Sequence, residues 1–269
     1  MQLYFNENGK LVFTPNYGVI LSAIDVYEPE SLSYFTRMDV QPTDERKILI
    51  NRVIRGLKIN NIWNTIDILR FSASHTSQSA LLNLKGDYWN ATLGGTSGQT
   101  PTFYVDRGFI GQVSNKWIDT NFNPFNGGCN YSRDSAMTIT YQNNNVGGVQ
   151  YYLLYGGCVI GGLCQYNNAA NTYGTINSNS ATATNDGVST KHQFKWMRRS
   201  SSAGFYFGTN LISVYRVRGS ADIVDSTMTE CQGPGRQVLF MIGGSLDDDQ
   251  LVIFEELTLE YLTAIGANI

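Results

Sequence analysis

The feature that most constrains this fold is a series of short β-type segments that begins after Phe71 and continues to Gly243. Turn-forming sequences such as Asp106-Arg107-Gly108 and Asn185-Asp186-Gly187 separate these segments. Many short strands punctuated in this way are typical of a β-sandwich or barrel, so we predict a mainly β chain. The predicted strands span residues 79–84, 102–105, 117–120, 136–141, 150–155, 190–197, 204–209, 213–217 and 237–243.

Two helical segments are predicted between residues 42 and 71. Thr43 is a suitable N-cap residue, and apolar residues recur at helical spacing from there to Leu57. A second segment, from Ile62 to Leu69, also has its apolar residues at helical spacing. We expect the two segments to form a helical hairpin ahead of the sandwich.

The end of the chain predicts one more helix. Ser245 can cap it, and the acidic residues Asp247, Asp248 and Asp249 suit the positive end of a helix. An apolar stripe follows, which we interpret as a core-packing face. Its residues are Leu251, Phe254, Leu257, Tyr261 and Ile265.

Residues 1–41 are predicted to form an N-terminal hairpin and an extended arm. Apolar residues alternate on both sides of a turn at Asn6-Glu7-Asn8-Gly9, and the stretch from Ile20 to Met38 has no helical period. Because a lone hairpin is only marginally stable, it must dock either on this chain's own sandwich or on a neighbouring subunit. We expect a homo-oligomer, with a trimer favoured, and three regions: the arm at 1–41, the helical hairpin at 42–71 and the sandwich with its C-terminal helix at 72–269.

The low charge of the chain argues against nucleic acid as a partner, and the lack of a long apolar run argues against insertion into a membrane. Its 269 residues carry a formal net charge of −3 with only 15% charged residues, which provides no basic field for a phosphate backbone. No apolar run approaches the roughly 20 residues that a membrane-spanning helix needs. The N-terminus also lacks the pattern of a signal peptide, so we expect synthesis in a cytoplasm.

The residue patterns that catalysis requires are missing from the sequence. Glycoside hydrolysis needs two carboxylates facing a cleft, but Glu230 lies in a segment that reads as a loop, and Asp222 with Asp225 is the nearest pair. The two histidines, His75 and His192, are too few for the usual zinc sites. We therefore predict no catalytic residue and no cofactor, and we predict that the protein is not an enzyme.

Two features of the sequence leave alternatives open. Asp119, Asn121 and Asn123 alternate along an extended segment, which could offer oxygen ligands to calcium or could be structural polar spacing in which Asp119 stabilises a turn. Cys158 and Cys164 could form a disulfide, or both could be buried free thiols.

Tyrosine and asparagine are concentrated in the middle of the chain, and they suggest a contact with sugars. Aromatic rings stack on pyranose faces, while amide side chains bind hydroxyl groups. The same residue types could instead line a subunit interface. The candidate glycan-binding residues, which we place in loops apart from Tyr155 at the end of a predicted strand, are Tyr155, Tyr166, Asn167, Asn168, Asn171 and Tyr173.

Several short phrases also resemble those of a known family, over residues 40–141 and again at the C-terminus. They are Gly56-Leu57-Lys58, Ile62-Trp63, Ala80-Leu81-Leu82-Asn83, Asn90-Ala91-Thr92, Pro101-Thr102-Phe103, Asp106-Arg107-Gly108-Phe109, Ile118-Asp119-Thr120, Phe122-Asn123-Pro124 and Tyr261-Leu262-Thr263-Ala264-Ile265-Gly266-Ala267. These phrases resemble phage virion proteins that have a concanavalin A-like, laminin-G-like jelly roll. The resemblance implies a concanavalin A-like jelly-roll β-sandwich and a place in a bacteriophage virion.

Three functions fit that resemblance. The one we favour is a tail fibre or tail tip protein that contacts host surface glycans and other virion proteins. The alternatives are a head decoration protein that clamps capsid subunits and a hydrolase that depolymerises glycans.

Overall fold

Three helices flank the sheets in the computed structural model, which describes residues 2–5, 11–14, 26–112, 115–143, 150–154, 164–168, 171–178, 193–209, 213–233 and 235–267. They are α1 (Pro29–Thr36), α2 (Asp44–Ile59) and α3 (Asp248–Ala264). As predicted, Thr43 caps α2, and its hydroxyl accepts a hydrogen bond of 3.3 Å from the backbone N–H of Arg46.

The helix pair ahead of the sandwich is confirmed, but its members are α1 and α2. The prediction of a helix from Ile62 to Leu69 was wrong, because Ile66–Arg70 forms strand β3. All five residues of β3 are buried, and a strand buried on both faces has the continuous apolar run that also fits a short helix.

Of the predicted N-terminal hairpin and extended arm, only the hairpin is confirmed. Strands β1 (Gln2–Phe5) and β2 (Leu11–Thr14) pair antiparallel. The extended interpretation of residues 20–38 was wrong over α1, where Pro29 lies in the first turn. Tyr34 and Phe35 are buried on that helix, so tertiary packing of two aromatic rings compensates for its short length.

The larger sheet has eight strands, seven of which follow the order β14-β13-β12-β8-β16-β6-β5, while β3 also pairs with β16. Every pairing in it is antiparallel. Its strands are β3, β5 (Thr102–Tyr104), β6 (Gly108–Ile110), β8 (Ala136–Asn143), β12 (Gln193–Arg199), β13 (Gly204–Thr209), β14 (Ser213–Val217) and β16 (Arg236–Gly243).

The smaller sheet has six strands in the order β11-β10-β9-β15-β7-β4, all of them antiparallel. They are β4 (Thr92–Gly95), β7 (Lys116–Asp119), β9 (Gln150–Leu154), β10 (Cys164–Asn168), β11 (Asn171–Thr175) and β15 (Thr229–Gln232).

The packing places the larger sheet between the helices and the smaller sheet. On β16, Leu239 and Met241 pack in one cluster with the buried faces of the helices, while Phe240 and Ile242 pack in a second cluster. A third cluster joins Phe109 of the larger sheet to Ile118 and others of the smaller sheet. The predicted mainly β, lectin-like sandwich with flanking helices is therefore confirmed.

One predicted strand is wrong, and several strands were missed. The segment 79–84 contains the 3₁₀ turn Ser79–Leu81 in place of a strand. The strands that pattern reading missed, apart from β3, are β4, β6, β10, β11 and β15, which are short or rich in glycine and polar residues. As a result Glu230, which we expected in a loop, lies on β15 and is completely buried.

The C-terminal helix packs as predicted. Leu251, Phe254 and Tyr261 of its stripe are buried in the cluster that also contains the apolar face of α2. Its cap is Asp247, two residues later than the predicted Ser245, and Asp247 forms a capping box with Gln250. Within the described residues, none of the helices combines the length and the apolar character that crossing a membrane requires.

Glu255 on α3 gives a testable pH dependence. Burial, and secondly the charge of Glu256, raises the pKa of Glu255 from 4.5 to about 7. The folded state therefore favours the protonated carboxyl, and this stabilisation is complete below pH 4.5 and is lost as the pH rises through 7. Above pH 7 we expect the free energy of unfolding of Glu255→Gln to be about 1–2 kcal/mol higher than that of the wild type. This figure is reduced to allow for the partial solvent exposure of the side chain.

Denaturant titrations between pH 4 and 8 check this expectation. The difference between Glu255→Gln and the wild type should grow between pH 4.5 and 7. Glu256→Gln, which removes only the neighbouring charge, should produce a smaller change in the same direction. A wild-type stability that does not fall relative to Glu255→Gln over that range would contradict the assignment.

Candidate functional site

A polar pocket of about 380 Å³ opens beside the start of β3. We call it the Trp89 pocket, and its lining combines two aromatic rings with amide, carboxyl and ammonium groups. The lining residues are Asn64, Ile66, Asp67, Lys85, Tyr88, Trp89, Gly128 and Asn130.

The loop at residues 83–90 supplies the aromatic side of this pocket, and Asn83 fixes its shape. The Asn83 side chain donates to the carbonyl oxygens of Asp67 at 3.1 Å and Tyr88 at 3.2 Å. It accepts from the backbone N–H of Leu69 at 3.0 Å and of Lys85 at 3.2 Å. Because Asn83 is completely buried, these bonds tie the loop to β3 without competition from water.

Arg37, the residue after α1, holds the same loop from the other side. Its guanidinium donates to the carbonyl oxygens of Gly86 and Asn83, both at 2.8 Å, and to the side-chain oxygen of Asn90 at 3.3 Å. The guanidinium also lies 5.4 Å from the centre of the Tyr34 ring. Three hydrogen bonds from one planar group leave the loop little freedom to change shape.

Trp89 has a backbone conformation that is unusual for a bulky residue. Its φ is 52°, in the left-handed region, where such strain often marks a functional position. Its ring meets Phe122 at 4.8 Å and 78° on one side and Tyr88 at 4.8 Å and 87° on the other. Phe122 is buried and Tyr88 is 46% exposed, so Trp89 links the core to an exposed aromatic ring.

Asp67 and Asn130 form the polar floor of the pocket. Asp67 accepts from the Asn130 backbone at 2.8 Å, the Asn130 side chain at 3.0 Å and the Tyr131 backbone at 2.8 Å. Burial nevertheless raises the pKa of Asp67, against the opposing effect of these hydrogen bonds. The Asn130 amide also donates to the carbonyl of Asn64 at 2.9 Å, which leaves the Asn130 side-chain oxygen facing no donor among the described residues.

Lys85 supplies the positive charge of the pocket. Its ammonium donates to the carbonyl oxygen of Trp63 at 2.5 Å and lies 4.3 Å from the centre of that residue's ring. Burial lowers the pKa of Lys85 to about 8, although the charge of Asp67 acts in the opposite direction. At neutral pH the ammonium is therefore mostly charged, with two further N–H donors.

The predicted glycan-contact residues lie elsewhere. Tyr155 falls outside the described residues, and the loop assignment of the others was wrong, because they lie on the paired strands β10 and β11. In this hairpin Tyr166 is the register partner of Tyr173, and Asn168 of Asn171, with Asn167 opposite Thr172. The hairpin is at the edge of the smaller sheet, and its residues are absent from the pocket lining.

The calcium candidates make hydrogen bonds within the protein. Asp119 accepts from the backbone N–H of Asn121 at 2.8 Å, which confirms that Asp119 stabilises a turn. Asn121 donates to the Asn90 carbonyl at 2.8 Å, and Asn123 donates to Asp225 at 2.7 Å. Among the described residues, no group of three His, Cys, Asp or Glu side chains is placed to hold a metal ion.

The groups considered for catalysis are dispersed as well. Glu230 is buried and forms an ion pair with Arg70, and Asp222 pairs with Arg133 at 3.0 Å on the surface. His75 contacts the carbonyl of Val40 at 2.7 Å, and His192 falls outside the described residues.

The predicted disulfide between Cys158 and Cys164 involves Cys158, which lies outside the described residues. Cys129 and Cys231 are free thiols.

Sequence reasoning missed the Trp89 pocket, although one signal for it was present. Tyr88 and Trp89 are adjacent aromatic residues in a glycine-containing polar segment, next to Asn90. Adjacent large aromatic residues outside a predicted strand are candidates for a binding surface. The contribution of Asp67, Asn64 and Asn130 could not be anticipated, because long-range contacts bring them to the loop.

No model of a protein family matches the sequence, and no curated protein matches it. Among solved structures, the binding domain of botulinum neurotoxin serotype D has a TM-score of 0.51 at 13% identity, over 73% of this chain and 53% of that chain. A mutant of HCR/D has a TM-score of 0.52 at 14% identity, over 74% of this chain and 54% of that chain. The chain thus spans about half the length of these structures, and the likeness shows a shared lectin-like β-sandwich fold.

A looser likeness is to Domain 4 of AbnA, an extracellular arabinanase from Geobacillus stearothermophilus, in complex with arabinotriose. The TM-score is 0.47 at 12% identity, over 70% of this chain and 99% of that one. At this level the superposition is too loose to support a functional comparison.

Proposed function

We propose that the protein is a glycan-binding module and that the Trp89 pocket is its sugar site. The observation that carries this proposal is the pair of Tyr88 and Trp89 in a loop held by Asn83 and Arg37. Aromatic rings stack on the C–H faces of sugars, and fixed rings lose little conformational entropy on binding.

The polar lining supports the same proposal. Asn64 and Tyr88 are both exposed. Within the described residues, neither the Asn64 amide nor the Tyr88 hydroxyl makes a hydrogen bond. Together with the side-chain oxygen of Asn130 and the ammonium of Lys85, these groups offer donors and acceptors to sugar hydroxyls. The matched solved structures include the binding domain of a toxin, and a binding role is consistent with that likeness.

We further propose that the module binds without catalysis. The Trp89 pocket contains one carboxylate, Asp67, and its oxygens already accept three hydrogen bonds. A glycosidase of the usual kind needs a second carboxylate across the scissile bond. We expect no release of reducing ends when the purified protein is incubated with a polysaccharide that it binds.

The place of the module is proposed from its resemblance to phage virion proteins. On that basis it is a tail fibre or tail tip protein, assembled as a homo-oligomer, whose sandwich touches glycans on the host surface. Weak single sites then act together, because several copies engage one surface. Copy number in purified particles tests this placement, since a head decoration protein would be present in numbers comparable to the major capsid protein.

Aromatic substitutions test the sugar site directly. On an array of bacterial and animal oligosaccharides, we expect Trp89→Ala to reduce binding about tenfold or more and Tyr88→Ala about fivefold, since each aromatic contact contributes on the order of 1 kcal/mol. Tyr215→Ala is the matched control for Tyr88→Ala, because Tyr215 is 41% exposed on strand β14 and lies outside the pocket.

A further pair of variants separates this site from the one suggested by sequence. Tyr166→Ala and Tyr173→Ala should leave array binding unchanged if the Trp89 pocket is the sugar site. Retained binding in Trp89→Ala, combined with loss in either of these variants, would move the site to the β10–β11 hairpin. Absence of any bound glycan for the wild type would refute the proposed function.

A further inference from the structure

The Lys85 ammonium is the positive charge of the Trp89 pocket, and no carboxylate of the described residues forms an ion pair with it. Lys85 is partly exposed and forms no ion pair within the described residues. The nearby acidic and basic groups of the helices neutralise one another, because Lys58 pairs with Glu28 at 2.7 Å and with Glu30 at 2.9 Å. Neither glutamate is therefore a free partner for Lys85.

The one carboxylate in the pocket, that of Asp67, forms no ion pair with Lys85 either. Asp67 is only 4% exposed, and both of its oxygens accept hydrogen bonds from Asn130 and Tyr131. Among the described residues no ion pair joins Asp67 and Lys85, and the Lys85 ammonium donates to the carbonyl oxygen of Trp63 at 2.5 Å. A ligand entering this pocket meets Lys85 and Trp89 in the same lining, whereas the oxygens of Asp67 already accept three hydrogen bonds.

From this arrangement we infer that the sugar bound in the Trp89 pocket carries a carboxylate, as a uronic acid does, and that Lys85 pairs with that group. The inference rests on the proposed function and specifies its ligand class. A single ammonium is a compact charge with two remaining donors, which suits one carboxylate. The aromatic rings of Trp89 and Tyr88 would contact the ring of the same sugar, which places the acid group at the Lys85 side.

The titration of Lys85 supplies an independent signature. Burial lowers its pKa to about 8; the charges of Asp67 and Glu30 raise it, and that of Lys58 lowers it further. The ammonium therefore loses its proton as the pH rises through 8. Affinity for an acidic sugar should fall between pH 7 and 9, while affinity for a neutral sugar should not change over the same range.

The experiment compares acidic oligosaccharides, such as oligogalacturonates and glucuronate-containing oligomers, with their carboxyl-reduced counterparts by calorimetry. We expect the wild type to bind an acidic member about tenfold more tightly than its reduced counterpart, as one charge-assisted hydrogen bond allows. Lys85→Gln should abolish that preference, because it should lower the affinity for the acidic sugar about tenfold more than the affinity for the reduced sugar. Lys85→Arg should retain the preference, and Lys47→Gln, on the first turns of α2, should behave as the wild type.

Each other outcome has a definite meaning. Equal loss of both sugars in Lys85→Gln would show that Lys85 does not recognise the carboxylate, and equal binding of both sugars by the wild type would also overturn the inference. In either case the proposed function survives. If neither class of sugar binds, or if Trp89→Ala binds both as the wild type does, the proposed function fails and this inference fails with it. A sulfated oligosaccharide bound more tightly than the uronic acids would replace the carboxylate with a different acid group.

Discussion

Replacing Glu230 with glutamine is expected to lower the free energy of unfolding by about 3–5 kcal/mol, the range for removing one partner of a buried ion pair. Glu230 of the smaller sheet faces Arg70 of the larger sheet, and both side chains are completely buried. Gln237 also donates to the Glu230 carboxylate at 2.5 Å. The substitution keeps the volume and leaves the Arg70 charge without its counter-ion between the two sheets.

Paired substitutions separate the charge from the packing. Arg70→Met should be destabilising to a similar extent, because it leaves the Glu230 carboxylate unpaired. The double variant with Arg70→Met and Glu230→Leu removes both charges, so its stability should lie closer to that of the wild type than the sum of the single effects predicts. Denaturant unfolding of the wild type, Arg70→Met, Glu230→Leu and the double variant gives the coupling energy.

An exposed ion pair in the same protein is the matched control. Arg52 and Glu260 lie 3.7 Å apart, and their side chains are 52% and 58% exposed. Arg52→Met should cost less than about 1 kcal/mol, because water already solvates both groups. If Glu230→Gln costs no more than Arg52→Met, the buried pair does not hold the two sheets together as described.

Gly108→Ala is expected to destabilise the protein by about 2–5 kcal/mol, for two reasons that add. Gly108 has φ of 84°, where an alanine is strained by roughly 1–2 kcal/mol. An added Cβ would also lie 1.9 Å from the carbonyl oxygen of Gln237, which belongs to the adjacent strand β16. Relief of that contact requires β6 and β16 to separate, and overpacking of this kind costs about 1–3 kcal/mol.

Gly98 separates these two reasons. Its φ is 74°, but an added Cβ would meet no atom within 4 Å. Gly98→Ala should therefore show only the conformational strain of roughly 1–2 kcal/mol. Equal destabilisation of the two variants would mean that the approach of β16 to Gly108 does not restrict that position.

Local patterns identified much of the fold, and the exceptions have physical causes. Strands β13 and β14 and helix α2 follow directly from alternation, helical spacing and a cap. Strand β3 could not be distinguished from a helix, because its residues are buried on both faces and carry no alternation. Strand β15 was missed because its identity depends on neighbours that are distant in sequence, β7 and β9.

The candidate site was less predictable than the fold. Residue type pointed to Tyr166 and Tyr173, since a cluster of tyrosine and asparagine is visible in sequence. The Trp89 pocket instead depends on Asn83, whose four hydrogen bonds join residues from two separate segments. A single asparagine carries no sign in the sequence that it organises a loop, so only the folded structure reveals the site.

The hydrogen bonds of Arg37 set the size of the smallest fragment that could retain the pocket. Sequence patterns suggested that residues 1–41 serve assembly and that binding belongs to the later sandwich. A fragment that begins at α2 would keep every lining residue of the pocket but would lose the guanidinium that closes the loop at Gly86 and Asn90. A fragment designed to carry the site into another protein therefore has to begin before Pro29, so that it includes α1 and Arg37 as well as the sandwich.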